Sequence, residues 1–233
     1  MFTGIVQGIA TIDKVTDYEG IRTFVIAFPF GFCRELEVGA SVSIDGVCLT
    51  ATEILSENRV AFDVIVQSLA VTTLGNYHPG SAVNCERAAK DGAEIGGHPL
   101  SGHVDFKAWI EDIEMLEGNC RMRIATDTEW MKYIFPKGYI ALHGASLTIA
   151  TVNKKEGWFE VWLIPETRRM TVIGEKKIGD QINVEIERHT QVVVDTIRDT
   201  LSENLGQLAP LFEKLLESQG VDVNALGVKR NTS

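Results

Sequence analysis

The sequence predicts a mainly β protein that consists of two tandem homologous domains followed by a C-terminal helical extension. Three observations support this prediction: an internal repeat, short apolar or alternating runs in both copies, and helical spacing of apolar residues near the end of the chain. We expect the domains at residues 1–97 and 98–189, and the helical extension with a tail at residues 190–233.

The repeat consists of three pairs of segments that keep the same order along the chain. The pairs are FTGIVQGIATI (2–12) with LSGHVDFKAWI (100–110), VSIDGVCLTATEI (42–54) with IALHGASLTIATV (140–152), and VTTLGNYHPGSAVNCE (71–86) with MTVIGEKKIGDQINVE (170–185). The displacement is 98 residues for the first two pairs and 99 residues for the third. Because order, spacing and glycine positions are all preserved, the repeat indicates two copies of one structural unit.

Each copy contains the short runs that are expected of β-strands. TFVIAF, SVSID and VAFDVIV are examples from the first copy, and Gly, Asn, Asp or Pro residues bound such runs. This pattern is typical of a small antiparallel barrel or sandwich. Helical spacing is weak within the copies, so we expect only short helices there, over residues 32–39 and 126–135.

The last part of the chain has helical spacing instead. Val193, Ile197, Leu201 and Leu205 recur every four residues and predict a helix with one apolar stripe. A second helical run over residues 210–220 begins at a proline and ends at a glycine, which are common helix boundaries. Since the stripe follows two complete domains, we expect it either to pack on one of them or to join other copies of the chain.

Composition excludes several classes of function. The formal net charge of −10 argues against nucleic acid or an anionic membrane as the main partner. No apolar run approaches the roughly 20 residues of a membrane-spanning helix, and the first residues lack the pattern of a secretion signal. We therefore predict a cytoplasmic protein. Cys33, Cys48, Cys85 and Cys120 have the spacing of neither a zinc site nor a disulfide framework.

The repeat places Cys48 and Ser146 at equivalent positions, each between a glycine and a threonine. Alone, a strand cysteine is most often a small buried hydrophobic residue, and a strand serine a structural hydroxyl. Two nucleophile-capable atoms at one repeated position instead indicate two versions of one ligand pocket. His103 stands where the first copy has Ile5, which suggests different tasks for the two pockets. His98 and His103 have no further ligand that would complete a metal site, so no metal is predicted.

Several motifs taken together extend the prediction from a fold to a family. They are MFTGIVQG at the N-terminus, the DGVCLT and HGASLT strands, VNCERAAK, GGHPLSGHV and LIPET. As an ordered set they resemble the riboflavin synthase family of the alpha-subunit type, and the resemblance runs from Met1 to about residue 200.

The resemblance implies a fold, a reaction and an assembly. The fold is two antiparallel six-stranded β-barrels and a C-terminal α-helix, which joins three chains into a homotrimer. The enzyme is a transferase that converts two molecules of 6,7-dimethyl-8-ribityllumazine into riboflavin and 5-amino-6-(ribitylamino)uracil by moving a four-carbon unit between them. It uses no cofactor or metal, each barrel binds one lumazine, and lumazine synthase is a candidate partner. The alternative, implied by relatives in luminous bacteria, is a lumazine or flavin carrier without catalysis.

The resemblance also implies site residues at matching positions of this chain. Cys48, His103 and Ser146 match the positions closest to the chemistry, Glu187 matches a family carboxylate, and Phe2 matches a residue needed in the site. The N-barrel ligand is expected against Gly4, Ile5, Val6, Cys48, Leu49, Thr50, Asp63, Val64, Ile65, Val66, Gln67 and Ser68. The C-barrel ligand is expected against Gly102, His103, Val104, Lys137, Ser146, Leu147, Thr148, Trp162, Leu163, Ile164, Pro165, Glu166 and Thr167.

Three places depart from the family pattern. Glu187 stands where an aspartate is usual, and His143 precedes Gly144 where the family usually has Asp-Gly. Residues 66–68 read Val-Gln-Ser where Lys-Glu-Thr is frequent. These departures leave Cys48, Ser146 and His103 in place and bear on turnover rate and ligand preference.

Overall fold

The computed structural model describes residues 1–218. Within the C-terminal helix it describes the backbone alone for residues 205–207, 209, 210, 212–214 and 216–218. A first compact unit, Met1–Thr190, holds every strand that is described, and a second unit begins at Gln191.

The first half of the chain folds into a closed six-stranded antiparallel barrel. Its strands are β1 (Gly8–Tyr18), β2 (Ile21–Ala27), β3 (Ser41–Ile44), β4 (Val47–Ser56), β5 (Arg59–Ile65) and β6 (Ala82–Arg87). Around the barrel they follow the order β1-β2-β5-β4-β3-β6, and β6 pairs with β1. Buried and exposed residues alternate from Gly8 to Asp13, so one face of this strand contributes to the barrel core.

The second half repeats this barrel strand for strand. Its strands are β7 (Phe106–Leu116), β8 (Asn119–Ala125), β9 (Tyr139–Leu142), β10 (Ala145–Asn153), β11 (Trp158–Leu163) and β12 (Gln181–Ile186). Their order around the barrel is β7-β8-β11-β10-β9-β12, which is the order of the first barrel with each strand number raised by six. The prediction of two tandem antiparallel six-stranded barrels is confirmed. The domain boundary at residue 97 stays a prediction.

Two short helices occupy equivalent positions in the two barrels. α1 (Val66–Val71) follows β5 and α2 (Pro165–Met170) follows β11, and a 3-10 turn comes after each. The sequence did not predict them, because six residues are too few to display a helical period. The two short helices that the sequence predicted do not form. Residues 126–135 contain only a 3-10 turn, Trp130–Lys132, and residues 32–39 contain turns without a helix.

The barrels meet at a pair of hairpin turns. Asp45–Gly46 joins β3 to β4 and His143–Gly144 joins β9 to β10, and all four residues have positive φ between 46° and 83°. Two-residue turns with this backbone suit the twist of a hairpin. A Cβ atom on Gly46 would lie 2.7 Å from the backbone nitrogen of Gly144. Glycine in the second position therefore allows the two turns to touch.

Two buried asparagines cross-link the barrels next to these turns. Asn84 on β6 donates its side-chain amide to the carbonyl of His143 at 2.9 Å, and Asn183 on β12 donates to the carbonyl of Asp45 at 2.9 Å. Each asparagine oxygen also accepts a backbone N–H from the other barrel, at 2.8 and 2.7 Å. The reciprocal bonds hold the two barrels in an approximately two-fold arrangement.

As far as residue 218, the C-terminal extension is one helix. α3 (Arg188–Ser218) begins two residues before the expected start and passes through position 210 without a break, so the predicted helix boundary at that proline is wrong. A proline removes one backbone hydrogen bond but does not by itself end a helix. Val193, Ile197 and Leu201 are each more than half exposed in the single chain. The side chain of Leu205 and the predicted end at residue 220 lie outside the described residues.

None of the helices among residues 1–218 is both long enough and apolar enough to cross a membrane.

Candidate functional site

The N-terminal segment lies against the second barrel. Ser146 on β10 donates its backbone N–H to the carbonyl of Gly4 at 2.8 Å. A Cβ atom on Gly4, whose φ is +76°, would lie 2.6 Å from the Cβ of Ser146. Only glycine permits both this backbone conformation and this close approach.

The segment between the barrels makes the reciprocal contact with the first barrel. Cys48 on β4 donates its backbone N–H to the carbonyl of Gly102 at 2.8 Å. A Cβ atom on Gly102, whose φ is +79°, would lie 2.6 Å from the Cβ of Cys48. Two residues later, Val104 packs against the core of the N-terminal barrel.

A buried glutamate holds each of these segments. Glu86 on β6 accepts the N–H groups of Thr3 (2.6 Å) and Gly4 (3.2 Å) and the Thr3 hydroxyl (2.7 Å). Glu185 on β12 accepts the same three groups from residues 101–102. Burial raises the pKa of both carboxyls, and these hydrogen bonds oppose the rise. Each barrel thus anchors a segment that it presents to its neighbour.

These contacts correct the grouping of the expected pocket residues. The expectation placed Gly4 with Cys48 and Gly102 with Ser146, whereas the structure pairs Gly4 with Ser146 and Gly102 with Cys48. The expected grouping is therefore wrong for the two segments. The observed pairing arises because each segment crosses the boundary between the barrels. Residues of the same repeat are therefore not neighbours in space at these positions.

His98 gives the hydroxyl of Ser146 an imidazole partner. Its Nδ1 lies 2.6 Å from the Ser146 Oγ, and its ring stacks on Tyr139 with the centroids 5.0 Å apart. His98 is buried, and its Nε2 has no hydrogen-bond partner among residues 1–218. Burial lowers the pKa of His98, and the negative charge of Glu187 opposes this shift. The imidazole is therefore neutral near pH 7 and is placed to exchange a proton with Ser146.

The equivalent position in the first barrel has no such partner. Cys48 is a free, partly buried thiol, and in the described part of the chain no side chain hydrogen-bonds to its sulfur. His98 precedes Leu100, near the start of the second copy, and so lies outside the matched segments. Sequence reasoning considered His98 only as a metal ligand and missed this contact. The GGHPLSGH stretch was the available signal, but nothing in it identified Ser146 as the partner.

Glu187 caps the start of α3. Its two carboxylate oxygens accept the backbone N–H groups of His189 (3.0 Å) and Thr190 (2.7 Å) and the Thr190 hydroxyl (2.8 Å). Burial alone would raise the pKa of Glu187, but these donors together lower it to about 2. The carboxylate is therefore charged at neutral pH and acts on His98 through its electric field. Its role in the site stays a prediction.

Six of the expected site residues have buried side chains in the single chain. Leu49, Val64, Leu147 and Leu163 lie on strands and point into the barrels, and Val6 is buried in the N-terminal segment. Phe2 is fully buried in a cluster between the barrels, with its ring 2.8 Å from where a Cβ of Gly102 would lie. Their contact with a ligand stays a prediction. Since strand residues alternate between faces, their neighbours along each strand face outward instead.

The outward-facing neighbours form two equivalent rims. On the first barrel they are Thr50, Asp63 and Ile65, followed by Val66, Gln67 and Ser68 in α1. On the second barrel they are Thr148, Trp162 and Ile164, followed by Pro165, Glu166 and Thr167 in α2. All except Ser68 and Thr167 are exposed. The structure thus brings these expected residues together, one set on each barrel.

Three further expected residues lie at the edges of these sites. His103 is exposed, and its backbone is held by Ser101 and by Arg188. Lys137 is exposed in the turn before β9 and has a φ of +66°. Ile5 lines an open groove of about 560 Å³ together with Thr3 and Gly96, next to the segments that cover Ser146.

Among residues 1–218, no group of three or more His, Cys, Asp or Glu side chains is placed to hold a metal ion. The two equivalent positions carry different side-chain groups, a hydroxyl bonded to a neutral imidazole at Ser146 and a thiol at Cys48.

Comparisons with known proteins agree with a duplicated ligand-binding unit. The family model for the lumazine binding domain matches residues 3–88 and again residues 101–187. Riboflavin synthase of Escherichia coli (strain K12) is 44% identical over 203 residues, which cover 87% of this chain and 94% of that protein. Riboflavin synthases of Buchnera aphidicola subsp. Schizaphis graminum and Chlamydia pneumoniae are 40% and 39% identical, over 89% and 88% of this chain and 99% and 98% of theirs.

Solved structures with the same fold contain the corresponding ligands. LumP complexed with riboflavin superposes with a TM-score of 0.74 at 26% identity, covering 80% of this chain and 100% of that chain. LumP complexed with 6,7-dimethyl-8-(1'-D-ribityl) lumazine gives a TM-score of 0.72 at 25% identity, covering 80% and 99%. The matches to the lumazine binding domain, one in each barrel, and the relatives that cover most of the chain show that it belongs to the riboflavin synthase family of lumazine-binding proteins.

Proposed function

We propose that the chain is a riboflavin synthase, which converts two molecules of 6,7-dimethyl-8-ribityllumazine into riboflavin and 5-amino-6-(ribitylamino)uracil. A four-carbon unit leaves one lumazine and joins the other. The observation that carries the proposal is the duplicated pocket: Cys48 and Ser146 occupy equivalent strand positions, and each lies under a glycine of a crossing segment. A reaction between two identical substrates requires two such pockets.

Ser146 and His98 suit the proton transfer that starts this reaction. The 7-methyl group of the lumazine is acidic because its anion delocalises over the ring, and a neutral imidazole is a suitable base for it. His98 is buried, its imidazole is neutral near pH 7, and its Nδ1 lies 2.6 Å from the Ser146 Oγ. We assign proton transfer to this pocket and the role of candidate nucleophile or contact residue to Cys48 in the other. His103, Lys137 and Glu187 stay candidate contributors from the pocket edges.

Holding two substrates in fixed pockets also removes most of the entropic barrier. A bimolecular reaction that becomes effectively unimolecular gains up to about 7–11 kcal/mol. Family members place facing pockets in different subunits, and we propose the same homotrimer for this chain. The exposed stripe of Val193, Ile197 and Leu201 on α3 supports that role, because an apolar helix face of this kind requires a partner surface.

Light scattering on the full chain tests the assembly. We expect a trimer for the parent, and a smaller species for the double variant Ile197→Asp, Leu201→Asp, since charges in an apolar helix contact oppose association. A matched control is Thr196→Asp, which adds a charge one position away from the stripe. An unchanged oligomer in the double variant would remove this role from α3.

The second candidate function is a carrier that binds lumazine or flavin without catalysis. The LumP structures with riboflavin and with the ribityl lumazine favour it, since they have the same fold. The hydrogen bond between Ser146 and His98 favours the enzyme instead, because ligand storage does not require a buried proton acceptor. Association with lumazine synthase and a cytoplasmic location stay predictions of the sequence.

Incubation with 6,7-dimethyl-8-ribityllumazine alone tests the proposed activity. We expect the riboflavin absorbance band to appear, with two lumazines consumed for each riboflavin formed. Binding of the lumazine without any conversion would instead identify the carrier. No uptake and no conversion would contradict both candidates.

A further inference from the structure

Tyr139 and Ser41 occupy equivalent positions in the two barrels but differ in chemistry. Each residue begins a four-residue strand, and each immediately precedes one of the matched segments that start at positions 140 and 42. The second barrel therefore has an aromatic ring where the first has a small hydroxyl. It is also the second barrel in which His98 lies against the serine of the site.

Two contacts hold the imidazole of His98 in different ways. Its stack on Tyr139 has ring centroids 5.0 Å apart and planes inclined by only 17°, so this contact fixes the plane of the imidazole. The distance of 2.6 Å from Nδ1 to the Ser146 Oγ fixes the rotation of the ring within that plane. Together the two contacts determine where the other ring nitrogen, Nε2, points.

The register of β9 and β10 places Tyr139 for this contact. Ala141 on β9 pairs with Ser146 on β10, and Tyr139 lies two residues before Ala141 on the same face of the strand. The tyrosine is therefore the diagonal neighbour of Ser146 on the outer face of the barrel. Tyr139 is 52% exposed, whereas His98 is only 3% exposed. The phenol ring thus contributes to the burial of the imidazole.

The backbone before His98 does not restrain the ring. Gly96 and Gly97 precede it, and glycine leaves the backbone more conformational freedom than any other residue. A Cβ on Gly97 would lie 2.6 Å from the Cβ of Ser146, so the close approach requires a glycine there. The Nε2 of His98 is buried without a hydrogen-bond partner among residues 1–218, which is unfavourable. A ring held by its backbone alone should therefore turn toward water.

We propose that Tyr139 is a positioning residue, which holds the imidazole of His98 against Ser146 and keeps water away from it. This inference rests on the proposed function, because it concerns the proton transfer assigned to this pocket. Tyr139 acts through His98 and does not need to touch the substrate. In the described part of the first barrel no imidazole is bonded to Cys48, and the small Ser41 at the equivalent position agrees with this.

The titration of His98 provides a measurement that a purely structural role would not change. Burial is the largest cause that lowers the pKa of His98, and the negative charge of Glu187, just before α3, opposes it. The phenol of Tyr139 and the hydroxyl of Ser146 face the ring from β9 and β10. Removing the phenol ring admits water to the imidazole, so the pKa of His98 should rise toward its ordinary value of 6.5.

The pH profile of riboflavin formation by the full chain tests the inference. Tyr139→Leu should lower kcat about ten-fold or more, because a misplaced base transfers a proton poorly, and should change KM less. The acidic limb of its kcat/KM profile should move to higher pH. An NMR titration with isotope-labelled histidine should show the same rise in the pKa of His98. Tyr139→Phe, which retains the ring, should keep the parental rate and the parental acidic limb.

Tyr18→Leu is the matched control, because Tyr18 is also an exposed strand tyrosine but lies at the end of β1 in the first barrel. It should leave the rate and the acidic limb unchanged. A parental rate and limb in Tyr139→Leu would overturn this inference alone, and so would a slower variant whose His98 titrates as in the parent. Equal losses in Tyr139→Leu and Tyr139→Phe would assign the effect to the hydroxyl and contradict positioning by the ring. No riboflavin formation by the parent would overturn the proposed function and this inference with it.

Discussion

The two pockets share a backbone but differ in chemistry. In the second barrel the Ser146 hydroxyl is bonded to the buried imidazole of His98, whereas in the first barrel Cys48 has no side-chain hydrogen-bond partner among the described residues. The backbone contacts of the two positions are nevertheless equal, with N–H to carbonyl distances of 2.8 Å to Gly4 and to Gly102. The geometry of the pocket is thus duplicated, and its acid–base chemistry is not.

The asymmetry between the two pockets comes from the segment that connects the repeats. His98 lies in the stretch between the matched segments, so its imidazole can join one pocket without disturbing the repeat. A reaction between two identical molecules needs this kind of asymmetry, because one molecule must lose a four-carbon unit and the other must accept it. The duplicated fold makes two pockets, and the connecting segment makes them unequal.

The largest expected effect comes from removing the imidazole. His98→Ala should lower kcat roughly 10²–10⁴-fold, which is the usual contribution of general acid–base catalysis. His98→Asn should lower it similarly, since an amide preserves a hydrogen bond to Ser146 but does not accept a proton at neutral pH. Initial rates of riboflavin formation measure both variants.

The matched control for this prediction is His78→Ala. His78 is exposed, and within residues 1–218 its ring hydrogen-bonds only to the adjacent backbone carbonyl of Pro79. It should keep the parental rate. If His98→Ala also kept that rate, the assignment of proton transfer to the second pocket would be wrong.

The next largest effect concerns the crossing segments. Gly4→Ala and Gly102→Ala each force a left-handed backbone on alanine, which costs about 1–2 kcal/mol, and crowd a neighbouring Cβ, which costs about 1–3 kcal/mol more. Gly80→Ala is the control, because its φ is +94° but no heavy atom lies within 4 Å of the new Cβ. Urea unfolding should show the larger loss for the first two variants.

The same glycine variants distinguish the two pockets. Gly4→Ala should impair the ligand site that contains Ser146, and Gly102→Ala the site that contains Cys48. Riboflavin titration of each variant checks this assignment. Loss of the opposite site in each variant would restore the grouping that the sequence suggested and contradict the crossing of the segments.

A third prediction uses the unequal turns between the barrels. Asp45 and His143 are fully buried, with Oδ2 and Nδ1 4.0 Å apart. Burial raises the pKa of Asp45 to about 6, against hydrogen bonds from Tyr77 and Asn84, and burial lowers the pKa of His143 well below its usual 6.5. Stability from Asp45 is therefore present at low pH and lost as pH rises through about 6. Stability from His143 is present above 6.5 and lost as pH falls.

With one of the two groups removed, the pH dependence of the unfolding free energy should reflect the titration of the other group. Relative to the parent, His143→Asn should gain stability as pH falls from 7 to 4, and Asp45→Asn should lose up to about 3 kcal/mol over the same range. Urea unfolding at several pH values measures both variants. Parallel pH profiles for the parent and both variants would show that this buried pair does not titrate unequally.

The smallest effect is expected at Glu187. Glu187→Gln should destabilise the chain by about 1 kcal/mol through the weaker helix cap. Because the folded-state pKa is about 2 and the ordinary value is 4.5, the charge contributes stability above pH 4.5 that is lost as pH falls through about 2. The difference between parent and variant should shrink in acid.

Glu187→Gln should also change the titration of His98 in the second pocket. Removing this charge should lower the pKa of His98 further, and the acidic limb of the kcat/KM profile should move to lower pH. Glu175→Gln serves as the control, since Glu175 is an exposed residue of the 3-10 turn after α2 and does not contribute to the helix cap. An unchanged acidic limb would show that the field of Glu187 does not reach the imidazole.

Much of the fold could be predicted because the repeat samples the same pattern twice. Alternating runs identified the strands, the preserved order of matched segments identified two copies of one unit, and the family resemblance implied that each copy is a barrel. Short elements could not be predicted, since α1 and α2 are shorter than two helical turns. The helix boundary predicted at the proline at position 210 was wrong, because the effect of a proline on a helix depends on the surrounding backbone, which cannot be read from the sequence.

The candidate site was predictable by position but not by contact. Cys48 and Ser146 followed from the repeat, whereas the exchange of Gly4 and Gly102 depends on how the two barrels dock. The contact of His98 with Ser146 spans 48 residues and arises from the same docking. Leu49 and Leu147 turn out to be buried, because neighbours along a strand point to opposite faces and a motif does not say which face is outward.

Equilibrium dialysis of the full chain against riboflavin tests whether both pockets bind a ligand. If each barrel binds one ligand, two riboflavin molecules should bind to every chain at saturation. Saturation at a single molecule per chain would show that one barrel is closed by its own side chains and would contradict the duplicated pocket.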